Sequence, residues 1–126
     1  MSKNNVLNSD IVDLNFLNEN FGEDYSAYAQ MIVFFLDQSE EKVQLLLESV
    51  KNHDFDTIKS TAHFLKSSFG IMGLKCKDFL IEMEILSINK SDFDKILHLS
   101  KLVELDFTES VIEYQRILSI VSEDQK

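Results

Sequence analysis

Apolar residues return at three- and four-residue steps along most of the chain. Tyr25, Tyr28, Ile32, Phe35, Ser39, Val43, Leu46 and Val50 form one unbroken stripe, which predicts a long helix over about 25–50. Ala27, Met31 and Phe34 make a second apolar row beside it. That row is either a widening of the buried stripe or a partly exposed docking patch. Phe55, Ile58, Ala62, Leu65, Phe69 and Met72 predict a helix over about 55–71. Cys76, Leu80, Met83 and Leu86 predict one over 74–88. A last stripe, from Phe93 through Ile96, Ser100, Val103, Phe107, Val111, Tyr114 and Leu118 to Val121, predicts a helix over 93–121. A shorter row, Ile11, Leu14 and Leu17, predicts a leading helix from a Ser9 cap to about residue 20.

The punctuation agrees with helices. Asp24 and Asp54 are placed to cap the second and third, and Ser91 with Asp94 reads as a capping box before the fifth. Gly22 and Gly73 close connections. There is no Pro, and only three Gly, so the turn residues that a sheet needs are missing. Short connections make neighbouring helices antiparallel. The expected fold is all-α: an antiparallel up-down-up-down four-helix bundle with a short extra N-terminal helix. One domain is expected over 9–122, with a flexible 1–8 and a frayed 123–126.

Charge narrows the partners. Twenty-two Asp and Glu against twelve Lys and Arg give a formal net charge of −10, which repels nucleic acid. The opening "MSKNNVLNSD" has no signal-peptide pattern, and no apolar run approaches the ~20 residues that span a membrane. Cys76 is the only cysteine, read as a reduced core residue of a cytoplasmic protein. A bundle of this size needs no second copy to bury its core, so a monomer is expected.

The stretch "STAHFLKSSFGIMG", residues 60–73, holds the most informative side chain. On a helical wheel, His63 falls roughly 140° from the centre of the core stripe, beside Lys59, Lys66, Ser67 and Gly70. An exposed histidine is usually only a surface residue. Here two lysines in an acidic protein flank the imidazole; their charge disfavours protonation and leaves a ring nitrogen free as a nucleophile. The same ammonium groups would balance a phosphoryl group carried on that nitrogen. Ser67 and Gly70 are small and leave the helix surface open to another protein. Phe64 and Ile71 lie further round, as part of a docking surface or as contacts to an adjacent helix.

Other chemistries fail on spacing. Val50, Ser60 and Lys95 stand three residues before the three histidines, so no Glu-x-x-His pair exists for a di-iron site. No His/Cys cluster has zinc spacing, and no phosphate loop is present. The reading assigns no metal and no cofactor. His53, at a helix junction, and His98 read as solvated or capping residues.

"AHFLKSSFGIMG", residues 62–73, resembles the signature of histidine phosphotransfer (HPt) domains of multistep two-component phosphorelays, roughly A-H-x-L-K-G-S-x-x-x-x-G. Ala62, His63, Leu65, Lys66, Ser68 and Gly73 stand at matching positions. "HDFDTIKS" and "FFLDQSEEKVQLLLESV" are similar to the same family, and the resemblance spans about residues 10–120. It implies that His63 accepts a phosphoryl group on Nε2 from a receiver-domain aspartyl phosphate and passes it to another receiver. Lys66 would stabilise that group. The receiver would supply Mg²⁺ and most catalytic groups, making this chain a phosphocarrier rather than an autonomous enzyme. Response-regulator receivers, a hybrid histidine kinase, or both would be its partners. Lys59, Phe64, Ser67, Gly70, Ile71, Met31 and Phe34 would form the docking surface.

Two positions depart from the family. Ser67 replaces the usual Gly four residues after the histidine, narrowing the approach or offering a hydrogen bond. Lys77 replaces a Leu fourteen residues after it, and Cys76 and Leu80 take the inward role instead. Two alternatives stay open: the phosphoacceptor domain of a chemotaxis-type kinase, phosphorylated in trans, and a helical adaptor that binds a receiver without transfer.

Overall fold

A computed structural model describes residues 7–123 as five helices. These are α1 (Asn15–Phe21), α2 (Tyr25–Lys51), α3 (Phe55–Ile71), α4 (Lys77–Ile88) and α5 (Phe93–Glu123). Helix α3 packs between α2 and α4, and α5 closes the ring against α4 and α2. The four long helices thus form the expected all-α bundle, with α1 resting on α2. The expected looseness of 1–6 and fraying of 124–126 fall outside the described residues.

The stripes read from the sequence are the buried ones. Tyr28, Ile32, Leu46, Ile58, Ala62, Leu65 and Phe69 are fully enclosed. At mid-bundle, Phe69 stacks on Phe107 with centroids 5.7 Å apart, and Phe35 meets both rings and Tyr114 edge-on. Each such pair adds roughly 0.5–1.5 kcal/mol beyond its buried area. The two aspartates cap as predicted: Asp24 accepts from the Ala27 N–H at 3.1 Å and Asp54 from the Thr57 N–H at 3.2 Å.

Four local expectations are corrected. The chain at 9–14 is not helical. Ser9 Oγ accepts from the Ile11 and Val12 N–H groups, but Val12 then pairs with Leu74 in an isolated antiparallel bridge. A tertiary pairing therefore outcompetes the helix that the Ser9 cap suggested, and α1 starts only at Asn15. The same bridge holds Leu74, so α4 starts at Lys77 rather than at 74, with Cys76 as its N-cap. Before α5 the capping side chain is Asp92, which accepts from the Lys95 N–H at 3.2 Å, rather than Ser91. Finally, Leu7, expected in the flexible stretch, packs half-buried against the core, and its carbonyl accepts from Asn18 Nδ2 at 2.9 Å.

Gly73 is the pivot of this junction. Its φ is +69°, a left-handed conformation that glycine adopts without strain. Its carbonyl accepts from the Asp13 N–H at 2.8 Å, and an added Cβ would lie 1.8 Å from the Asp13 carbonyl oxygen. Only a residue without a side chain lets the 9–14 segment cross so closely. That crossing sets where α4 begins, and so the height of α4 against α3.

Candidate functional site

The outer face of α3 carries His63, with 65 % of its side chain exposed. Its inner neighbours Ala62 and Leu65 are fully buried, so packing fixes which way the histidine faces. The structure adds a partner that the sequence reading missed. Glu84, on α4, places Oε2 2.7 Å from His63 Nδ1 and Oε1 2.6 Å from Lys66 Nζ. One carboxylate holds both side chains, one oxygen each. It is itself only 14 % exposed, and Lys66 is 30 % exposed.

This geometry decides the tautomer. A carboxylate only accepts hydrogen bonds, so Nδ1 must carry the proton and donate it. The neutral ring then bears its lone pair on Nε2, which has no hydrogen-bond partner among the described residues. The two flanking lysines are therefore not what frees a ring nitrogen, as their charge alone suggests: the Lys66 charge is matched by Glu84, and the Nδ1–H bond to Glu84 directs the lone pair to Nε2. Burial pulls the Glu84 carboxyl upward, but the bonds from Lys66 and His63 outweigh it and hold the group below its ordinary value.

A faint signal for Glu84 does exist in the sequence. It interrupts the apolar run "FLIEMEILSI", and it lies eleven residues after Gly73 where His63 lies ten before. In an antiparallel hairpin, residues symmetric about the turn sit at the same height. Pairing them requires knowing that Gly73 is the turn and which faces of α3 and α4 meet.

The other singled-out residues spread over two sides of His63. Lys59, Ser67 and Gly70 are exposed along α3. Phe64, Ile71, Phe34 and Met31 come together from α3 and α2, lining an apolar groove of about 180 Å³ floored by Phe35 and Met72. Phe34 is 63 % and Phe64 47 % exposed, and Lys42 lies over the Phe64 ring at 5.0 Å. Cys76 is buried, with its thiol ionisation pushed up chiefly by that burial. Its N–H donates to Asp106 at 2.9 Å, and Leu80 lies inward beside it, while Lys77 is exposed. His53 does more than sit in solvent: its ring stacks on Phe93 at 3.8 Å, at a φ of +55°. His98 is exposed on α5. No group of three or more metal-ligating side chains exists among the described residues.

A helical bundle presenting one exposed, carboxylate-oriented histidine beside a lysine belongs to a definable class. Residues 30–85 match the family model of the Hpt domain; that span contains His63, Lys66 and Glu84. The matched span is similar to an Hpt domain, and that match supports a histidine phosphotransfer role in a phosphorelay. Its fold is similar to the crystal structure of histidine-containing phosphotransfer protein B (HptB) from Pseudomonas aeruginosa PAO1, with a TM-score of 0.79. The two share 18 % identity, over 89 % of this chain and 97 % of that one. No curated protein sequence matches significantly.

Proposed function

We propose that His63 is the phosphoacceptor. It takes a phosphoryl group on Nε2 from the aspartyl phosphate of one receiver domain and passes it to the aspartate of another. The observation that carries this is the His63–Glu84 contact, which leaves an unpartnered nucleophilic nitrogen on a largely exposed ring. Lys66, one turn further along the same face, supplies positive charge to the transferred phosphoryl group. Transfer of this kind needs positioning and charge neutralisation more than covalent chemistry, so a receiver can bring Mg²⁺ and the remaining groups, and this chain acts as a carrier without catalysis of its own.

The receiver docks on the outer face of α3, over Lys59, Ser67 and Gly70, with Phe64, Ile71, Met31 and Phe34 receiving its apolar edge. Exposed aromatic side chains beside open helix surface are suited to a protein partner. The formal charge of −10 disfavours nucleic acid. No helix among the described residues is long and apolar enough to cross a membrane. The buried, lone Cys76 suits a reducing compartment, and the reading places the protein in the cytoplasm as a monomer.

The test is transfer of acid-labile label to the protein from a panel of phosphorylated receivers, and separately from ATP with a histidine kinase core. Label from a receiver, slowed about tenfold or more by Lys66→Ala with the fold intact, supports the relay reading. Label only from the kinase core favours the chemotaxis-type alternative. Receiver binding without label in either arm favours the adaptor. Ser67→Gln adds bulk at the docking face and should weaken receiver binding; unchanged binding would move the docking face elsewhere.

A further inference from the structure

A second apolar groove lies away from the His63 site, between α2 and α5, with a volume of about 230 Å³. Val43 and Leu47 line it from α2, and Val111 and Ile112 from α5. Ile112 is 62 % exposed, and Leu105, two turns before it on the same face of α5, is 65 % exposed. Each helix also contributes one carboxylate to the lining, Glu40 and Glu104. The ion pairs among the described residues take up Glu82, Glu84 and Glu113, so neither groove carboxylate is neutralised by a lysine or arginine there. None of the lining residues is basic. Lys42 turns to Phe64 on the other side of α2, and Lys51 and Lys101 lie beyond one end of the groove. The groove beside His63 differs, because its lining is uncharged and Lys42 stands at its rim. The two grooves therefore suit different partners.

We propose that the α2–α5 groove is a docking site for a basic amphipathic helix of a partner protein. The apolar row of that helix lies between Val43 and Leu47 on one side and Val111 and Ile112 on the other. Its flanking Lys or Arg side chains pair with Glu40 and Glu104. The dimensions agree: Glu40 to Leu47 and Glu104 to Ile112 each cover about two helical turns, roughly 10–12 Å. That is the span of anchors at i, i+3 or i+4, and i+7 on a docked helix. A neutral or acidic segment would bury the two carboxylates without a counter-charge, which is costly. The formal charge of −10 adds long-range attraction for a basic segment. Helix α5 packs on α2 and α4, diagonally across the bundle from α3, so an occupied groove leaves the outer face of α3 open. The site thus holds this protein beside a partner without covering His63, whichever residue accepts a phosphoryl group.

The probe is a synthetic peptide of about five helical turns, with leucines along one face and lysines on both flanks. Its binding to the full chain is read by ¹H–¹⁵N NMR shifts. Two control peptides accompany it: one of the same composition with the amphipathic period scrambled, and one with Glu in place of every Lys. The shifts should centre on Leu47 and Ile112 and spare His63 and Phe64. Both controls should bind at least about tenfold more weakly. Ile112→Asp changes an exposed position and should weaken binding by about tenfold or more. Glu40→Lys combined with Glu104→Lys should move the preference to the acidic peptide. If a variant does not fold, the three peptides on the wild type still decide. Shifts scattered over the acidic surface, shifts centred on Phe34 and Phe64, or equal binding of the scrambled peptide would overturn the proposal. So would self-association in sedimentation velocity that Ile112→Asp abolishes, which would assign the groove to a second copy of the chain instead.

Discussion

The two faces of α3 come from the same 17-residue helix and meet opposite demands. The inner face, Ile58, Ala62, Leu65 and Phe69, is fully buried and apolar. Phe69 there packs against rings from α2 and α5, and none of the four side chains carries a titratable group. The outer face, Lys59, His63, Lys66, Ser67 and Gly70, is open and polar, and Glu84 reaches across from α4 to hold two of its side chains. Stability resides in the first face, and the proposed chemistry in the second. A rigid inner face lets a largely exposed histidine hold one orientation without being buried itself.

That separation predicts unequal responses to substitution. The largest loss of stability should follow Leu65→Ala, which opens a cavity at a fully buried site and costs about 2–5 kcal/mol in denaturant unfolding. Lys59→Ala, on the opposite face, should stay within about 0.5 kcal/mol of wild type. Comparable losses would mean that the two faces are not independent. Gly73→Ala comes next. A left-handed φ and the crossing of Asp13 should together cost at least about 1–3 kcal/mol. Because Gly73 sets the height of α4, the variant should also weaken the His63–Glu84 contact, read as a change in the His63 ring ¹⁵N shifts. An unchanged ring signal would show that the outer face is organised without the hairpin turn.

The smallest effect concerns acid. The Glu84 carboxyl lies lower in the folded protein than its ordinary value of 4.5. A carboxyl depressed by folding stabilises the fold above its unfolded value and loses that contribution as pH falls through the folded value. Glu84→Gln should therefore be less stable than wild type at neutral pH, by about 1 kcal/mol or less, because burial of the carboxylate offsets part of what Lys66 and His63 contribute. The difference should vanish on acidification below that ordinary value. A gap that persists at low pH would mean that Glu84 acts through packing rather than charge.

Much of the inner face was legible in the sequence, because a period of three to four apolar residues and an aspartate cap are local signals. Asp24 and Asp54 marked the starts of α2 and α3, and the stripe from Phe55 to Met72 placed His63 on the outside. What the sequence hid depends on distant partners. Val12 pairing with Leu74 delayed both α1 and α4, and no local pattern reports a bridge between such remote positions. Asp92 displaced Ser91 as a cap because adjacent polar residues compete for the same role and the turn geometry, with φ at +49°, selects between them. Glu84 was missed for the same reason: its role exists only once α3 and α4 are laid side by side. The residue pattern of "AHFLKSSFGIMG" singled out His63 and its exposure, while the carboxylate that orients it required the fold.

The most direct test of the account is to map the phosphoryl group after transfer from a phosphorylated receiver, by peptide analysis under conditions that preserve acid-labile label. The wild type and His63→Gln both retain His53 and His98. The account predicts that all label in the wild type lies on the peptide containing His63, attached at Nε2, and that His63→Gln takes none while unfolding like the wild type. Label on His53 or His98, or full labelling of His63→Gln, would contradict it.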